Sequence, residues 1–204
     1  VDATNSAVVV TMTGGTGGDT LEGGIRADII NGGEGTDTLI GNQGADTING
    51  GAGADEITGG TGVDTLTGGS GADDFNFTTA GDTGATVATA DTVVDFVTAS
   101  DQLDVNINTA ATDATTDISV VTEADGTSVA DFTALVALVD AAFTTNTGTG
   151  LATAGAGDAY VSFNALGTGD AYVFVDENDD GDFTAAGNDT FFILSGVNTA
   201  AEIG

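Results

Sequence analysis

The chain lacks most of the residue types on which enzymes and nucleic-acid-binding proteins depend. It contains no His, Cys, Trp or Pro, and Arg26 is its only basic residue against 32 acidic residues in a chain of 204. A nucleic-acid surface needs clustered Lys and Arg, and a formal net charge of −31 also opposes an anionic membrane surface. Without His, Cys or Lys there is no usual base, nucleophile or Schiff-base amine, so we expect no enzyme activity within these residues.

Long apolar runs are also missing. No segment approaches the roughly 20 apolar residues that a membrane-spanning helix needs, and no N-terminal signal peptide is recognisable. The chain begins at Val1 rather than at Met, which indicates a piece of a longer protein. The absence of Cys is compatible with any compartment and excludes disulfide bonds.

The residues that are present indicate a chain able to fold once its acids are neutralised. Hydrophobic residues make up 40% of the sequence, too many for a permanently disordered tail. Self-repulsion among the acids favours expanded states, and the 33 glycines add backbone entropy that folding must overcome. Because the protein supplies almost no cations of its own, they must come from solution.

Residues 14–76 consist of seven consecutive nine-residue units with the pattern G-G-x-G-x-D-x-U-x, where U is a large apolar residue. The sixth position is always Asp: Asp19, Asp28, Asp37, Asp46, Asp55, Asp64 and Asp73. The eighth is always apolar: Leu21, Ile30, Leu39, Ile48, Ile57, Leu66 and Phe75. A disordered Gly/Asp linker is the alternative interpretation, but a linker does not require an acid at every ninth position.

The nine-residue spacing predicts a coil of short strands and tight loops. Three residues x-U-x form a strand that sends one side chain inward, and the glycine-rich loop turns with backbone angles that Gly or Asn adopts at low cost. Two units make an 18-residue coil, and stacked coils form two parallel sheets around an apolar ladder. The loops expose carbonyl oxygens and one carboxylate each, a hard, flexible oxygen set that suits calcium better than magnesium.

These units closely resemble the RTX (repeats-in-toxin) β-roll. The resemblance implies calcium ions between loops one full coil apart, held by the Asp residues and by loop carbonyls, and about five ions in the roll. The implied pairs are 14–19 with 32–37, 32–37 with 50–55, 50–55 with 68–73, 23–28 with 41–46, and 41–46 with 59–64. The implied carbonyl-bearing glycines are Gly15, Gly17, Gly33, Gly35, Gly51, Gly53, Gly60, Gly62, Gly69 and Gly71. The second unit departs from the pattern because Arg26 stands where a Gly is expected.

After the repeats, DTVVDFVTASDQLDV (91–105) resembles the segment that closes the open end of RTX rolls. The resemblance implies that Asp91 and Asp101 help to bind a final calcium. The alternative is a pair of strands with turn-forming Asp residues. Val93, Phe96 and Leu103 are the residues expected to cover the last rung, since a stacked repeat needs a cap.

The rest of the chain predicts one helix and a small sheet. Apolar residues at helical spacing indicate the helix: Phe132, Leu135, Val136, Val139 and Phe143. GDAYVSF (157–163) and GDAYVFV (169–175) predict an antiparallel hairpin, and DTFFILSG (189–196) predicts a third strand.

DENDDGDF (176–183) matches the opening of an EF-hand loop, with Asp176, Asn178 and Asp180 at positions 1, 3 and 5. Position 12 is Gly187 instead of Glu, although Asp189 could contribute. One further calcium at 176–182 and a solvated acidic turn are the two hypotheses for this segment.

The sequence therefore predicts a mainly β protein, a parallel β-roll followed by a β-rich C-terminal region with one helix. The expected divisions are a leading strand or linker (1–13), the roll (14–76), a roll-capping segment (77–105) and a C-terminal domain that includes a secretion signal (106–204). Composition rich in Thr, Ala, Gly and Asp resembles secreted bacterial surface-layer (S-layer) proteins. The RTX resemblance implies export by type I secretion machinery, and the S-layer resemblance implies a cell-surface location and calcium-dependent self-association into a lattice. The alternative is the C-terminal module of a large RTX adhesin or of a secreted protease or lipase.

Overall fold

A computed structural model of the chain describes residues 1–4, 6–77, 89–97, 100–105, 118–119, 159–163, 169–175 and 190–197. These residues form 14 strands, and no helix occurs among them. The predicted helix at 132–143 and the acidic loop at 176–183 lie outside the described residues. Within the described ranges, no helix is both long and apolar enough to span a membrane.

The strands form two sheets whose members alternate along the repeats. The nine-stranded sheet, here called the long sheet, has the spatial order β1 (Thr11–Thr16), β3 (Ile29–Glu34), β5 (Thr47–Ala52), β7 (Thr65–Ser70), β9 (Asp91–Val93), β14 (Thr190–Leu194), β13 (Ala171–Val175), β12 (Ala159–Phe163) and β11 (Ile118–Ser119). The five-stranded sheet, here called the short sheet, has the order β10 (Gln102–Val105), β8 (Asp74–Phe77), β6 (Glu56–Thr61), β4 (Thr38–Gln43) and β2 (Thr20–Glu22).

Neighbouring strands of the repeat region are parallel and pair residues 18 positions apart. In the long sheet Ile30 lies opposite Ile48, which lies opposite Leu66. Leu39 lies opposite Ile57 in the short sheet. These side chains are at most 1% exposed and belong to one core cluster that draws on both sheets. The expected parallel β-roll is confirmed. The pairing has this spacing because a nine-residue period returns each inward side chain to an equivalent place after two units.

β9 and β10 supply one further rung to each sheet of the roll. β9 pairs with β7 in the long sheet, where Val93 lies opposite Leu66. β10 pairs with β8 in the short sheet, where Leu103 lies opposite Phe75. Val93 is fully buried, and the Phe96 ring lies 6.2 Å from the Phe75 ring between centroids. The segment thus extends both sheets and packs on the last repeat.

The long sheet continues beyond the roll into antiparallel strands. β14 pairs in parallel with β9, and β13 pairs in antiparallel fashion with both β14 and β12. The predicted hairpin and third strand are therefore present, with the connection 164–168 outside the described residues. The Phe77 and Phe192 rings stack with centroids 4.1 Å apart and an interplanar angle of 8°. This stack packs the end of the repeats against β14.

The roll also begins one rung earlier than the first complete repeat. β1 pairs with β3 and places Met12 opposite Ile30. Met12 is 6% exposed and joins the core cluster. The signal for this rung is an apolar residue nine positions before Leu21, in a unit where Val10 takes the place of the Asp.

Candidate metal centre

The repeat Asp residues form two hydrogen-bonded ladders along the roll. In each ladder the backbone N–H of one Asp donates to Oδ1 of the Asp one coil further on, over 2.6–3.2 Å. One ladder runs through Asp19, Asp37, Asp55, Asp73 and Asp101. The other runs through Asp28, Asp46, Asp64 and Asp91. Because the first ladder precedes short-sheet strands and the second precedes long-sheet strands, the ladders lie at opposite edges of the roll.

The carboxylates are buried, and several have one oxygen that no protein group satisfies. Asp37, Asp46, Asp55 and Asp73 are at most 2% exposed. Oδ1 of each accepts the ladder hydrogen bond, whereas Oδ2 of each is buried without a hydrogen-bond partner. A buried carboxylate without a compensating charge is strongly destabilising. The arrangement therefore requires a cation or a proton at Oδ2.

A carbonyl oxygen of the next coil lies near Oδ2 of Asp37, Asp46 and Asp55. A Cβ atom placed on Gly50 would lie 2.5 Å from Asp55 Oδ2 and 2.6 Å from the Gly68 carbonyl oxygen. Equivalent pairs of oxygens flank Gly32 and Gly41. Only Gly fits at the first position of the unit, because a side chain would fill the space where the carboxylate and carbonyl oxygens converge.

The loops turn through residues with positive φ, as predicted. All the glycines expected to present carbonyl oxygens have φ between 96° and 155°: Gly15, Gly17, Gly33, Gly35, Gly51, Gly53, Gly60, Gly62, Gly69 and Gly71. The loop 41–46 was among the predicted loop pairs, but the predicted carbonyl-bearing residues did not include Asn42 (φ 75°) and Gly44 (φ 136°), which adopt the same turn. Their spacing within the unit was the signal that could have identified them.

Burial also changes the acidity of these carboxyl groups. The pKa of Asp46 is raised from 3.8 to about 7, chiefly by desolvation; the hydrogen bond from the Asp28 N–H opposes the rise, and the nearby Asp64 and Asp28 carboxylates add to it. Burial likewise raises the pKa of Asp55 and of Asp73. Without a cation, ionising these groups at neutral pH therefore opposes the folded roll.

The donor set fits calcium. It consists of carboxylate and carbonyl oxygens on glycine-rich loops, which matches the six to eight oxygen ligands and loose geometry that calcium accepts. Among the described residues, no three or more acidic side chains come together as a metal-binding group. Loop carbonyls would therefore supply much of the coordination, with the repeat Asp residues supplying the negative charge.

Asp91 and Asp101 occupy ladder positions at different edges. Asp91 Oδ1 accepts from the Asp64 N–H at 2.7 Å, and Asp101 Oδ1 accepts from the Asp73 N–H at 3.2 Å. The expectation of one final calcium shared by both residues does not match this placement, since each extends its own ladder. Calcium binding by Asp91 stays a prediction, as does binding at Asp176, Asn178 and Asp180, which lie outside the described residues.

Asp95 is a site residue that the sequence interpretation missed. Its carboxylate accepts from the Gly68 N–H at 2.9 Å and from the Gly69 N–H at 2.8 Å. β9 ends at Val93, two residues earlier, so the side chain satisfies backbone donors that a longer strand would have paired. Asp95 thereby caps two backbone donors of β7 that lie beyond the end of β9.

Comparison with known proteins supports the same assignment. The family model for the RTX calcium-binding nonapeptide repeat matches residues 13–48 and 40–75, about a third of the chain. The match supports the assignment of residues 13–75 to the RTX nonapeptide repeats. Repeats of this kind bind calcium and form β-rolls, and they occur in secreted proteins, which suggests an extracellular location for this chain.

Two solved structures resemble the chain. The solution structure of the AlgE6R2 subunit from the Azotobacter vinelandii mannuronan C5-epimerase is 23% identical, covers 98% of this chain and 91% of its own, and has a TM-score of 0.46. That of the AlgE6R3 subunit is 25% identical, covers 99% and 82%, and has a TM-score of 0.33. With TM-scores below 0.5, neither likeness decides the fold or the function. The search of curated proteins finds no match.

Proposed function

We propose that the RTX roll binds calcium between loops one coil apart and that this binding drives its folding. The observation that supports the proposal is the set of buried Oδ2 atoms without hydrogen-bond partners on Asp37, Asp46, Asp55 and Asp73. Each lies beside a first-position Gly of its own loop. A bound ion supplies the positive charge that these carboxylates lack.

Four of the five loop pairs implied by the family have the same geometry. They are 14–19 with 32–37, 32–37 with 50–55, 50–55 with 68–73, and 41–46 with 59–64. In each pair the chain supplies an Asp carboxylate from both loops and carbonyl oxygens from residues with positive φ. The fifth pair, 23–28 with 41–46, contains a loop of a different conformation.

Binding and folding are coupled because the sites do not exist in the extended chain. A loop meets its partner 18 residues away only when the coils stack in register. Binding free energy therefore becomes folding free energy. With a net charge of −31, the chain without calcium is disfavoured in its compact form both by general repulsion and by the buried carboxylates.

A calcium titration tests this proposal. The chain is dialysed against a chelator, and calcium or magnesium is then added while far-UV circular dichroism and small-angle scattering are recorded. We expect β signal and compaction to appear with calcium at concentrations where magnesium has little effect, because magnesium requires a tighter octahedral site. A compact, β-rich chain in chelator would rule out calcium-driven folding.

For the parent protein we propose a bacterial S-layer component, a structural rather than enzymatic role. The support is compositional: an acidic chain that has no Lys or Cys and is rich in Thr, Ala, Gly and Asp. In this proposal type I machinery exports the chain unfolded, with residues 106–204 containing the secretion signal, and calcium outside the cell triggers folding and lattice assembly. Residues 14–76 form the roll and 77–105 its cap.

Electron microscopy of the protein with and without calcium tests the surface-layer role. An ordered two-dimensional sheet that appears with calcium and disappears in chelator is the expected result. Monomeric rolls at high protein and calcium concentrations would instead favour the alternative, a C-terminal module of an RTX adhesin, protease or lipase.

A further inference from the structure

The loops of the roll are of two kinds, which differ in backbone conformation. Six of the seven repeat loops have positive φ at their second and fourth positions, as at Gly51 (109°) and Gly53 (149°). In the loop 23–28 neither Gly24 nor Arg26 has positive φ. Asn42 is the only non-glycine with positive φ among the described residues, which shows that the 41–46 loop keeps the common conformation.

The uncommon loop satisfies its own carboxylate. The Gly24 N–H donates to Asp28 Oδ2 at 2.7 Å, and the Val10 N–H donates to Asp28 Oδ1 at 2.7 Å. Asp28 is as buried as Asp46, with 1% exposure each. Both oxygens of Asp28 therefore have protein donors, whereas Oδ2 of Asp46, the next Asp at the same edge, has none.

Residues before the repeats hold this loop in place. The Ile25 N–H donates to the Ser6 carbonyl at 3.2 Å, and the Arg26 side chain donates through Nε to the Ala7 carbonyl at 3.4 Å. A Cβ on Gly24 would lie 2.6 Å from the Ser6 carbonyl oxygen, so the two segments are in close contact. The loop conformation is thus supported by the N-terminal residues and by Arg26.

The same closure occurs at the other end of the roll. The Val97 N–H donates to Asp101 Oδ2 at 2.8 Å, again from a residue four positions before the Asp. Asp101 Oδ1 accepts from the Asp73 N–H at 3.2 Å and from Ser100 Oγ at 3.0 Å. Asp101 is 9% exposed and has partners on both oxygens.

From this geometry we infer that Asp28 and Asp101 are hydrogen-bonded latches that close the two ends of the roll without calcium. A cation at Oδ2 of either residue would compete with an N–H group for the same oxygen, and displacement would leave that donor unpaired. Among the five loop pairs of the repeats, calcium is then confined to the four of common conformation, and the pair 23–28 with 41–46 takes no ion. This inference rests on the proposed calcium binding by the other loops.

The number of calcium ions bound per chain tests the inference. The 204-residue chain and its Asp28→Asn and Asp46→Asn variants are saturated with calcium, checked for folding by circular dichroism, and counted by equilibrium dialysis and native mass spectrometry. Asp28 and Asp46 are a matched pair, one ladder step apart and equally buried. We expect the Asp28→Asn count to equal the parent count, and the Asp46→Asn count to be lower by at least one.

Loss of an ion in Asp28→Asn, as in Asp46→Asn, would overturn the inference. If Asp28→Asn does not fold, Asp101→Asn is the second variant. We expect its number of bound calcium ions to equal that of the parent chain, and a lower number would overturn the assignment of Asp101. A parent chain that binds no calcium at all contradicts the proposed function itself. A parent chain that binds calcium but loses an ion in both latch variants contradicts only the latches.

A gain-of-site variant tests the cause. Arg26→Gly restores the repeat pattern in the second unit and removes the Nε contact with Ala7. If the Gly24 N–H donates to Asp28 because residue 26 lacks a positive φ, we expect the Arg26→Gly variant to bind one more calcium ion per chain. An unchanged count would show that the backbone at Arg26 is not what excludes the ion.

Discussion

The roll and the antiparallel strands beside it are stabilised in different ways. Each nine-residue unit of the roll buries one large apolar side chain, and every unit after the first also buries its Asp carboxylate. In β13 and β14 consecutive residues are buried on both faces, including Tyr172, Phe174, Phe191 and Phe192. The Phe174 and Phe191 rings lie 4.8 Å apart between centroids.

In the proposed scheme, this difference makes the roll the part of the described structure that depends on an added cation. An aromatic side chain buries 150–250 Å² of surface by general measurements, and the described side chains of β13 and β14 bury no carboxylate. The roll has a thinner apolar core and two ladders of buried acids. In the proposed scheme calcium is a structural component of the roll, whereas the described antiparallel strands pack through aromatic side chains.

Chelation should produce the largest effect and should separate the two regions. We expect the far-UV β signal of the roll to be lost while the near-UV tyrosine signal falls less, because both tyrosines, Tyr160 and Tyr172, lie in β12 and β13. Circular dichroism in both ranges during a chelator titration measures this. Coincident midpoints would show instead that the two regions unfold as one cooperative unit.

Truncation after Asn76 is the next largest test, because it removes the strands that cover the end of the roll. Leu66 loses Val93 as its neighbour, and Phe75 loses Leu103. We expect this fragment to remain disordered at calcium concentrations that fold the full chain, and addition of residues 77–105 to restore folding. Equal folding midpoints for the short and full chains would remove the capping role from 77–105.

Substitutions within one ladder should give a smaller, graded effect. In the proposed scheme Asp55 serves two ions, whereas Asp19, at the end of the ladder, serves one. We expect Asp55→Asn to raise the calcium midpoint of folding by roughly ten- to a hundredfold, the range seen when support of a metal site is lost, and Asp19→Asn to raise it less. Asp46→Asn should resemble Asp19→Asn if the latch at Asp28 is correct. Equal shifts for Asp19 and Asp55 would contradict shared ligation.

Acidification should have the smallest effect and should partly replace calcium. The pKa of Asp46 is raised from 3.8 to about 7 on folding, so in chelator its ionisation opposes the folded roll above pH 7. This penalty decreases as the pH falls through 7 and vanishes below about 3.8, where the group is protonated in both states. Circular dichroism in chelator should therefore show more β structure at pH 5 than at pH 8. Asp46→Asn, which cannot ionise, should show a weaker pH dependence.

Much of the roll and its candidate ligands could be predicted from the period alone. The Asp at the sixth position of every unit and the apolar residue at the eighth position determine which side chains stack. The repeat returns each of them to an equivalent place every 18 residues. The positive φ of the loop glycines follows from the same pattern. Asn42 shows that the position, rather than Gly itself, determines the turn.

The tertiary structure decided what lies outside this period. That Asp91 and Asp101 extend opposite edges depends on β9 and β10 joining different sheets. That β14 continues the long sheet depends on a pairing about 100 residues apart in the chain. Both oxygens of Asp28 accept hydrogen bonds, from the Gly24 and Val10 N–H groups, and this depends on how the N-terminal residues pack on the second loop. Local spacing determined the repeat because its contacts recur at one fixed separation, whereas these contacts join segments that share no repeat and meet only in the folded chain.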